Sequence, residues 1–522
     1  MREYRVDLLI MGGGLGGCAA AMAACERGLS VLMTEETDWI GGQVTSQGVP
    51  PDEHPYMESF GRTRRYQAYR QRVREKYLDK LDVQQIDTPF NPGNGLVSHI
   101  CHDPRVSLHV LNDMLLKYTL TNQLMIHTNC QLHRAIRTEN RVKEAIFTDM
   151  RMNTYLKVEA PFVMDATEEG ELLSKAQLDY STGAESKHET GECHALENAD
   201  RNNVQALTYV LGMEYRKGEQ HTINKPEMYD FWKAYRPNFW PDQYLSLKAP
   251  NPVTLEPRKY TLFKEDEGFP LWEYRRIYSQ SLYHTVYPAG DVSLMNWPMN
   301  DYFLGKIFDV SDQEREKHVE QSKQLSLSLL YWLQTEARRP DGGQGYPGLK
   351  LRHDLFDTHD GLAKYPYVRE SRRIKAMYTI TEQDLSPESQ PLKSGVKYDD
   401  RIGIGYYRID LHPSTGGRNY LDIPTLPFHI PLGALIPKDM DNVLAGCKNI
   451  GTTHITNGCY RLHPVEWNVG EAGGAIVAFC LNHQVSPKEV REEDSLLKRF
   501  QRELREDGLE LEWPREFYEE QT

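Results

Sequence analysis

The sequence predicts an α/β protein: a parallel sheet with an antiparallel meander, interrupted by an inserted α+β segment. Three observations carry this reading. A short apolar run at residues 5–11 enters a glycine loop and then an alanine-rich segment of helical character. Residues 129–166 alternate through two or three strands. Residues 442–447 form another buried-type strand that meets a glycine, followed by a helix at residues 465–480.

Composition narrows the class. A chain of 522 residues corresponds to two or three domains at about 150 residues each. Its 61 basic and 75 acidic residues give a formal charge of −14, which disfavours phosphate backbones and anionic lipid as the main partner. The mean hydropathy is −0.63, and no apolar run approaches the roughly 20 residues of a spanning helix. The eight cysteines contain no Cys-x-x-Cys pair, which argues against a zinc ribbon, a local iron–sulfur motif or a redox-active loop. They are expected to be buried thiols of a reducing compartment, and the chain is read as cytoplasmic. Residues 15–18 imitate a lipoprotein processing site. Asp7 interrupts the apolar run, however, and a phosphate-binding turn explains the glycines better.

The elements follow in order. Residues 12–17, Gly-Gly-Gly-Leu-Gly-Gly, satisfy G-x-G-x-x-G. Gly12 makes the tight turn, Gly14 admits a pyrophosphate, and Gly17 lets the helix pack on the strand. With Leu15 and Gly16, the helix amino terminus offers free N–H groups to phosphates. A second strand ends at Glu35, which is placed to accept ribose hydroxyls, with Glu36 beside it. The pair Gly41-Gly42, followed by Gln43, suits either a second pass near a flavin dinucleotide or a plain type II turn. Two distant segments favour FAD over NAD. Residues 162–167 end in a strand and a small-residue turn, and the return from Gly446 leads to a helix whose amino terminus suits a flavin oxygen.

Together these motifs, with Tyr367-Val368-Arg369-Glu370-Ser371-Arg372-Arg373, resemble the FAD-dependent oxidoreductases related to heterodisulfide reductase. The resemblance spans roughly residues 5–485. It implies a glutathione-reductase-like FAD-binding Rossmann domain in two pieces, residues 1–184 and 401–485, with a substrate or cap domain at 185–400 and a helix at 486–522. It also implies that Gly12, Gly14, Leu15, Gly16, Gly17, Glu35, Glu36, Gly41, Gly42, Gln43, Leu132, Ala166, Thr167, Gly446, Asn468 and Val469 contact FAD. The chain lacks the cysteine clusters of that reductase, so a ferredoxin-like role does not carry over.

In the middle segment, Trp232, Tyr235, Trp240, Tyr244, Trp272, Tyr274 and Trp297 are either the core of an inserted subdomain or stacking surfaces for substrate. Residues 311–336 carry a helical stripe of Leu325, Leu329 and Leu333. Arg369 to Arg373 are either a charged helix face or a clamp; Arg372 and Arg373 are the candidate anchors for an anionic or polyhydroxyl substrate. Residues 401–412 alternate as one strand, with Tyr406, Arg408, Asp410 and His412 on one face. His412 is the candidate acid/base, with His454 or His463 as substitutes. Asn449, Thr453, His454, Asn457 and Arg461 fall where substrate contacts are expected. No metal site has ordered ligand spacing. The expected function is an FAD-dependent oxidoreductase taking a hydride from a small polar molecule, sugar-like or carboxylate-bearing, with the electron acceptor and any homo-oligomer open. The alternatives are an NAD-linked dehydrogenase, a flavoprotein of net non-redox chemistry and an electron-relay flavoprotein serving a protein partner.

Overall fold

Leu8, Leu9, Ile10 and Met11 are fully buried, as a strand covered on both faces of a parallel sheet must be. In the computed structural model, which describes residues 1–80, 89–284, 290–390 and 394–517, they form the central strand β1 (Leu8–Met11). Helix α1 (Leu15–Glu26) follows the glycine loop, and β2 (Val31–Glu35) returns beside β1. The sheet is completed by β3 (Leu124–Thr128), β4 (Phe162–Asp165) and, nearly 280 residues later, β5 (Val443–Ala445). Its order is β5-β4-β1-β2-β3, parallel throughout.

The second helix of the unit, α2 (His463–His483), packs alongside α1. A Cβ on Gly470 would lie 1.9 Å from Gly16 O, and one on Gly474 2.3 Å from Ala20 O. Rising together along both helices, these contacts make α1 and α2 parallel, with both amino termini at the carboxyl edge of the sheet. That edge is where ligands bind in open α/β sheets.

The alternating segment folds as three antiparallel strands, Cys130–Thr138, Arg141–Asp149 and Thr154–Glu159, with Arg2–Arg5 added in parallel at the edge. The middle of the chain builds a separate antiparallel sheet from Arg276–Tyr278, Val292–Met295, Leu211–Tyr215 and Leu349–Leu351. The helix Asp312–Thr335 is capped by Ser311 and Glu314, and it buries Leu325, Leu329 and Leu333 in a second hydrophobic core. Trp232, Trp240, Tyr244, Trp272 and Trp297 belong to that core, so five of the middle aromatics are packing residues.

Three expectations about elements are corrected. Residues 401–412 are two strands, Arg401–Gly405 and Ile409–Leu411, because Tyr406 leaves the line to join His54, Tyr56 and Trp513. Residues 369–372 are neither helix nor strand and link the short strands Tyr367–Val368 and Arg373–Ile374. The carboxy-terminal helix starts at its capping box but breaks at Glu493, giving Pro487–Glu492 and Asp494–Glu506. Residues 518–522 of the 486–522 segment lie outside the described residues.

Candidate functional site

Gly12 adopts φ +94°, and a Cβ there would sit 2.2 Å from Ala166 O, so the loop closes directly on the end of β4. Gly14 faces carboxylate tips instead: its Cβ would meet Glu168 Oε1 at 3.1 Å and Glu466 Oε1 at 3.5 Å. Gly17 sits against the end of β1: its Cβ would strike Gly12 O at 2.1 Å, so the bare backbone lets α1 close on the strand as expected, while Gly16 makes a second close approach, to Gly446 O.

The loop borders a crevice holding about 530 Å³ of space, part of it open to solvent. Of the residues expected at the cofactor, Gly12, Gly14, Glu35, Glu36, Gly42, Leu132, Ala166 and Thr167 line it. Glu35 Oε2 accepts from Gly13 N at 3.0 Å, and Oε1 accepts from Thr37 N at 2.9 Å. Burial pushes its carboxyl up to about 7 despite those bonds. Gly41 donates its N–H to Gly13 O at 2.7 Å, which joins the second glycine pair to the first. Asn468 and Val469 do not reach the crevice. The Asn468 amide donates to Ile402 O, and Val469 is buried in the core. Sequence reasoning missed Ser46, Gln47, Glu168, Glu169, Glu171 and Tyr365, all of which line the crevice. The acids of Glu168-Glu169-Gly170-Glu171 directly follow Thr167, and that adjacency was the available signal.

The lining of the crevice has the chemistry a flavin dinucleotide calls for. Glycines keep the backbone bare, and two helix amino termini point to one end. Gln43 Oε1, both amide atoms of Gln47 and Glu168 Oε1 are buried without a partner among the described residues. Hydroxyl-rich ribose and ribityl chains would satisfy such groups.

A second cavity, about 1020 Å³ when the space open to solvent is counted, is lined by a separate set of residues. Tyr365 lines the crevice and Tyr367 the cavity, and the Gln43 amide donates to Arg461 O at 3.2 Å between them. Five arginines line it, Arg258, Arg275, Arg369, Arg408 and Arg461, against Asp52, Asp410 and Asp422. Arg461 donates to Tyr367 OH at 2.6 Å and to Asp410 Oδ2 at 3.3 Å. Arg275 pairs with Asp52 at 3.2 Å, and Arg369 with the fully buried Asp301 at 3.0 Å. His412 lines the cavity with Nδ1 2.5 Å from Asp301 Oδ2 and Nε2 3.4 Å from Asp410 Oδ2. Burial alone would raise both aspartates. Arg369 and His412 outweigh it at Asp301, and His412 and Arg461 at Asp410, so both carboxyls are held below their usual range.

The other catalytic candidates lie elsewhere. Arg372 pairs with Asp309 at 2.8 Å and donates to Glu169 O. Arg373 is completely buried; it pairs with Glu370 and with Glu185 and donates to Gly183 O and Thr452 O. Neither lines the cavity, and anchoring a substrate would require breaking those pairs, so the expectation that they anchor it is corrected. His454 is likewise buried, with Nδ1 2.8 Å from Glu370 Oε2 and no place on the cavity wall. His463 accepts from Asp52 N and faces Val49 O, and burial pushes it down to about 3. Arg461 reaches the cavity as expected, whereas Asn449 and Asn457 bond to Asp165 O and to Gln205. Of the Arg369–Arg373 run, Arg369 is the arginine that reaches the cavity.

A family model described as FAD dependent oxidoreductase matches residues 7–504. The curated proteins include no match. Solved structures similar to the chain include L-proline dehydrogenase from P. horikoshii, at 16% identity and a TM-score of 0.19 over 32% of this chain and 23% of that one. This chain thus spans less than a quarter of that protein's length. The p-nitrophenol 4-monooxygenase of Pseudomonas putida is 10% identical over 97% of this chain and 89% of that one, with a TM-score of 0.35. The myxobacterial chondrochloren halogenase is 11% identical over 96% and 79%, also at 0.35. With a family match over nearly its whole length and a glycine-loop crevice of this kind, the chain belongs to the FAD-dependent oxidoreductases, and it is an enzyme whose cofactor is FAD.

Proposed function

We propose that the enzyme oxidises a small, anionic organic substrate seated in the arginine cavity, with FAD in the adjoining crevice. The finer kinship belongs to the same proposal: a glutathione-reductase-like FAD domain related to heterodisulfide reductase, supported by the parallel sheet, its meander and the return of β5 and α2. The observation that carries the functional reading is a surplus of donors. Arg275 Nε, Arg369 Nε, Arg461 Nε and Asn296 Nδ2 are buried without acceptors among the described residues, all on residues of one cavity wall. A buried donor left unsatisfied costs about 1–3 kcal/mol. A carboxylate or a polyhydroxyl acid supplies the missing acceptors, and does so within a chain of net charge −14.

FAD, when bound, supplies the acceptor for the hydrogen and electron pair of a substrate C–H bond. The protein's part is positioning and proton transfer. Arg369 and Arg461 turn their positive charge toward the anionic group, each with Nε unpaired among the described residues. Asp301 holds His412 through Nδ1, which leaves Nε2 to take the proton from the substrate's O–H or N–H. Asp410, 3.4 Å from Nε2, stabilises the charge that results.

The test is anaerobic mixing of the FAD-loaded enzyme with a panel of small carboxylates and their neutral analogues, following bleaching of the flavin band. Bleaching by an acid and not by its amide or ester is expected. His412→Ala should keep its FAD yet be reduced about 100-fold more slowly, the usual scale for loss of a general base. Equal reduction by neutral analogues, or an unchanged rate in His412→Ala, refutes the assignment.

A further inference from the structure

We propose that Glu466 is a built-in anion at the dinucleotide seat, displaced by the cofactor's pyrophosphate and protonated as it leaves, so that FAD binding takes up a proton. The side chain comes from the first turn of α2 and crosses to α1, where Glu466 Oε1 accepts from Gly16 N at 3.1 Å. Helix α1 starts at Gly14 with no side-chain cap, so Gly16 N is one of the free donors that a G-x-G-x-x-G helix offers to a pyrophosphate. Glu466 Oε2 accepts from the Gln43 amide of the second glycine loop. A carboxylate thus occupies the anion position between two helix amino termini, wholly buried, and only one of the two anions can hold Gly16 N.

The surroundings decide what happens on displacement. Lys448, behind β5, is the nearby cation, and it already pairs with Glu168. Glu168, from the turn after β4, is the nearest competing carboxylate. Glu35 at the end of β2, Asp165 at the end of β4, Cys18 on α1 and Cys447 after β5 are the other titratable groups of the seat. A charged Glu466 pushed off Gly16 would be a buried carboxylate facing Glu168 and a pyrophosphate that carries two negative charges. Taking a proton is the cheaper course. The direction agrees with its carboxyl in the cofactor-free protein: burial raises it, Lys448 opposes and Glu168 adds to the rise.

The consequence is linkage. One proton taken up per FAD weakens binding by up to about tenfold per pH unit wherever Glu466 is ionised in the free protein. The dissociation constant is read from flavin fluorescence on serial dilution of the full-length holoenzyme between pH 6 and 9. Wild type should release FAD more readily as pH rises. Glu466→Gln should bind more tightly than wild type at pH 8–9 and lose most of the slope. A flat wild-type profile, an unchanged slope in Glu466→Gln, or weaker binding by Glu466→Gln across the range overturns the proposal. Proton uptake by the wild type when it rebinds FAD in weakly buffered solution needs no variant, and an uptake of zero also overturns it.

Discussion

Arg369, Arg372 and Arg373 lie within five residues and do three different things. Arg369 reaches the cavity, Arg372 ties down Asp309, and Arg373 neutralises Glu370 and Glu185 in the interior. Their proximity in sequence made the motif legible but not its division of labour, because the pairing partners come from residues 185, 301 and 309. The residues of the glycine loop were legible for the opposite reason: their partners are local, and bare backbone leaves a direct mark on the sequence. Arg373→Met should destabilise the protein by about 3–5 kcal/mol, since it strands buried carboxylates. Combining it with Glu370→Gln should recover part of that loss. Denaturant midpoints of the two variants measure this, and a Glu370 change that adds further destabilisation would show that the pair is not the source. Arg373 is accordingly a clamp, and variants there should change folding before they change substrate affinity.

Among elements, α1 and α2 show what periodicity could and could not reveal. Each reads as a helix in the sequence, and the expected span 465–480 falls within three residues of α2 at both ends. That they lie side by side in parallel was written in Gly16, Gly470 and Gly474, but only as pairs across some 450 residues. The strand expected over 401–412 failed because alternation continues through Tyr406, which an aromatic cluster pulls out of line. The glycines separate packing from binding. Gly470→Ala places a Cβ 1.9 Å from Gly16 O and should cost about 1–3 kcal/mol by overpacking, with the midpoint lowered whether or not FAD is present. A Cβ in Gly14→Ala comes no closer than 3.1 Å, to the Glu168 tip, and otherwise makes ordinary contacts, so the FAD-free protein should unfold as wild type does while its flavin affinity falls. Equal loss of stability in both variants would place Gly14 in the packing and not at the cofactor.

At the scale of the whole molecule, two cores are joined by a chain that crosses between them more than once. The first contains the parallel sheet, α1 and α2; the second takes most of its residues from 204–368. One side of the sheet was legible because β4 and β5, which pair with each other, each stop at a glycine or small-residue turn. The cavity between the cores was not legible, since its walls come from residues 52, 252–298, 367–369, 407–422 and 461, and no motif spans them. With FAD in the crevice of the first core, as proposed, its binding energy enters the unfolding of that core alone. At a hundredfold excess over the dissociation constant the stabilisation is about 2.7 kcal/mol. Calorimetry of the FAD-free protein should therefore resolve two transitions, and titrating FAD should raise one while leaving the other in place. If a single transition moves as one, the buried pairs that bind residues 369–373 to both sides, Arg369 with Asp301 and Arg373 with Glu185, couple the cores strongly enough to unfold together. Arg373→Met should then split that transition in two, because weakening one clamp lowers the coupling without touching either core's apolar packing.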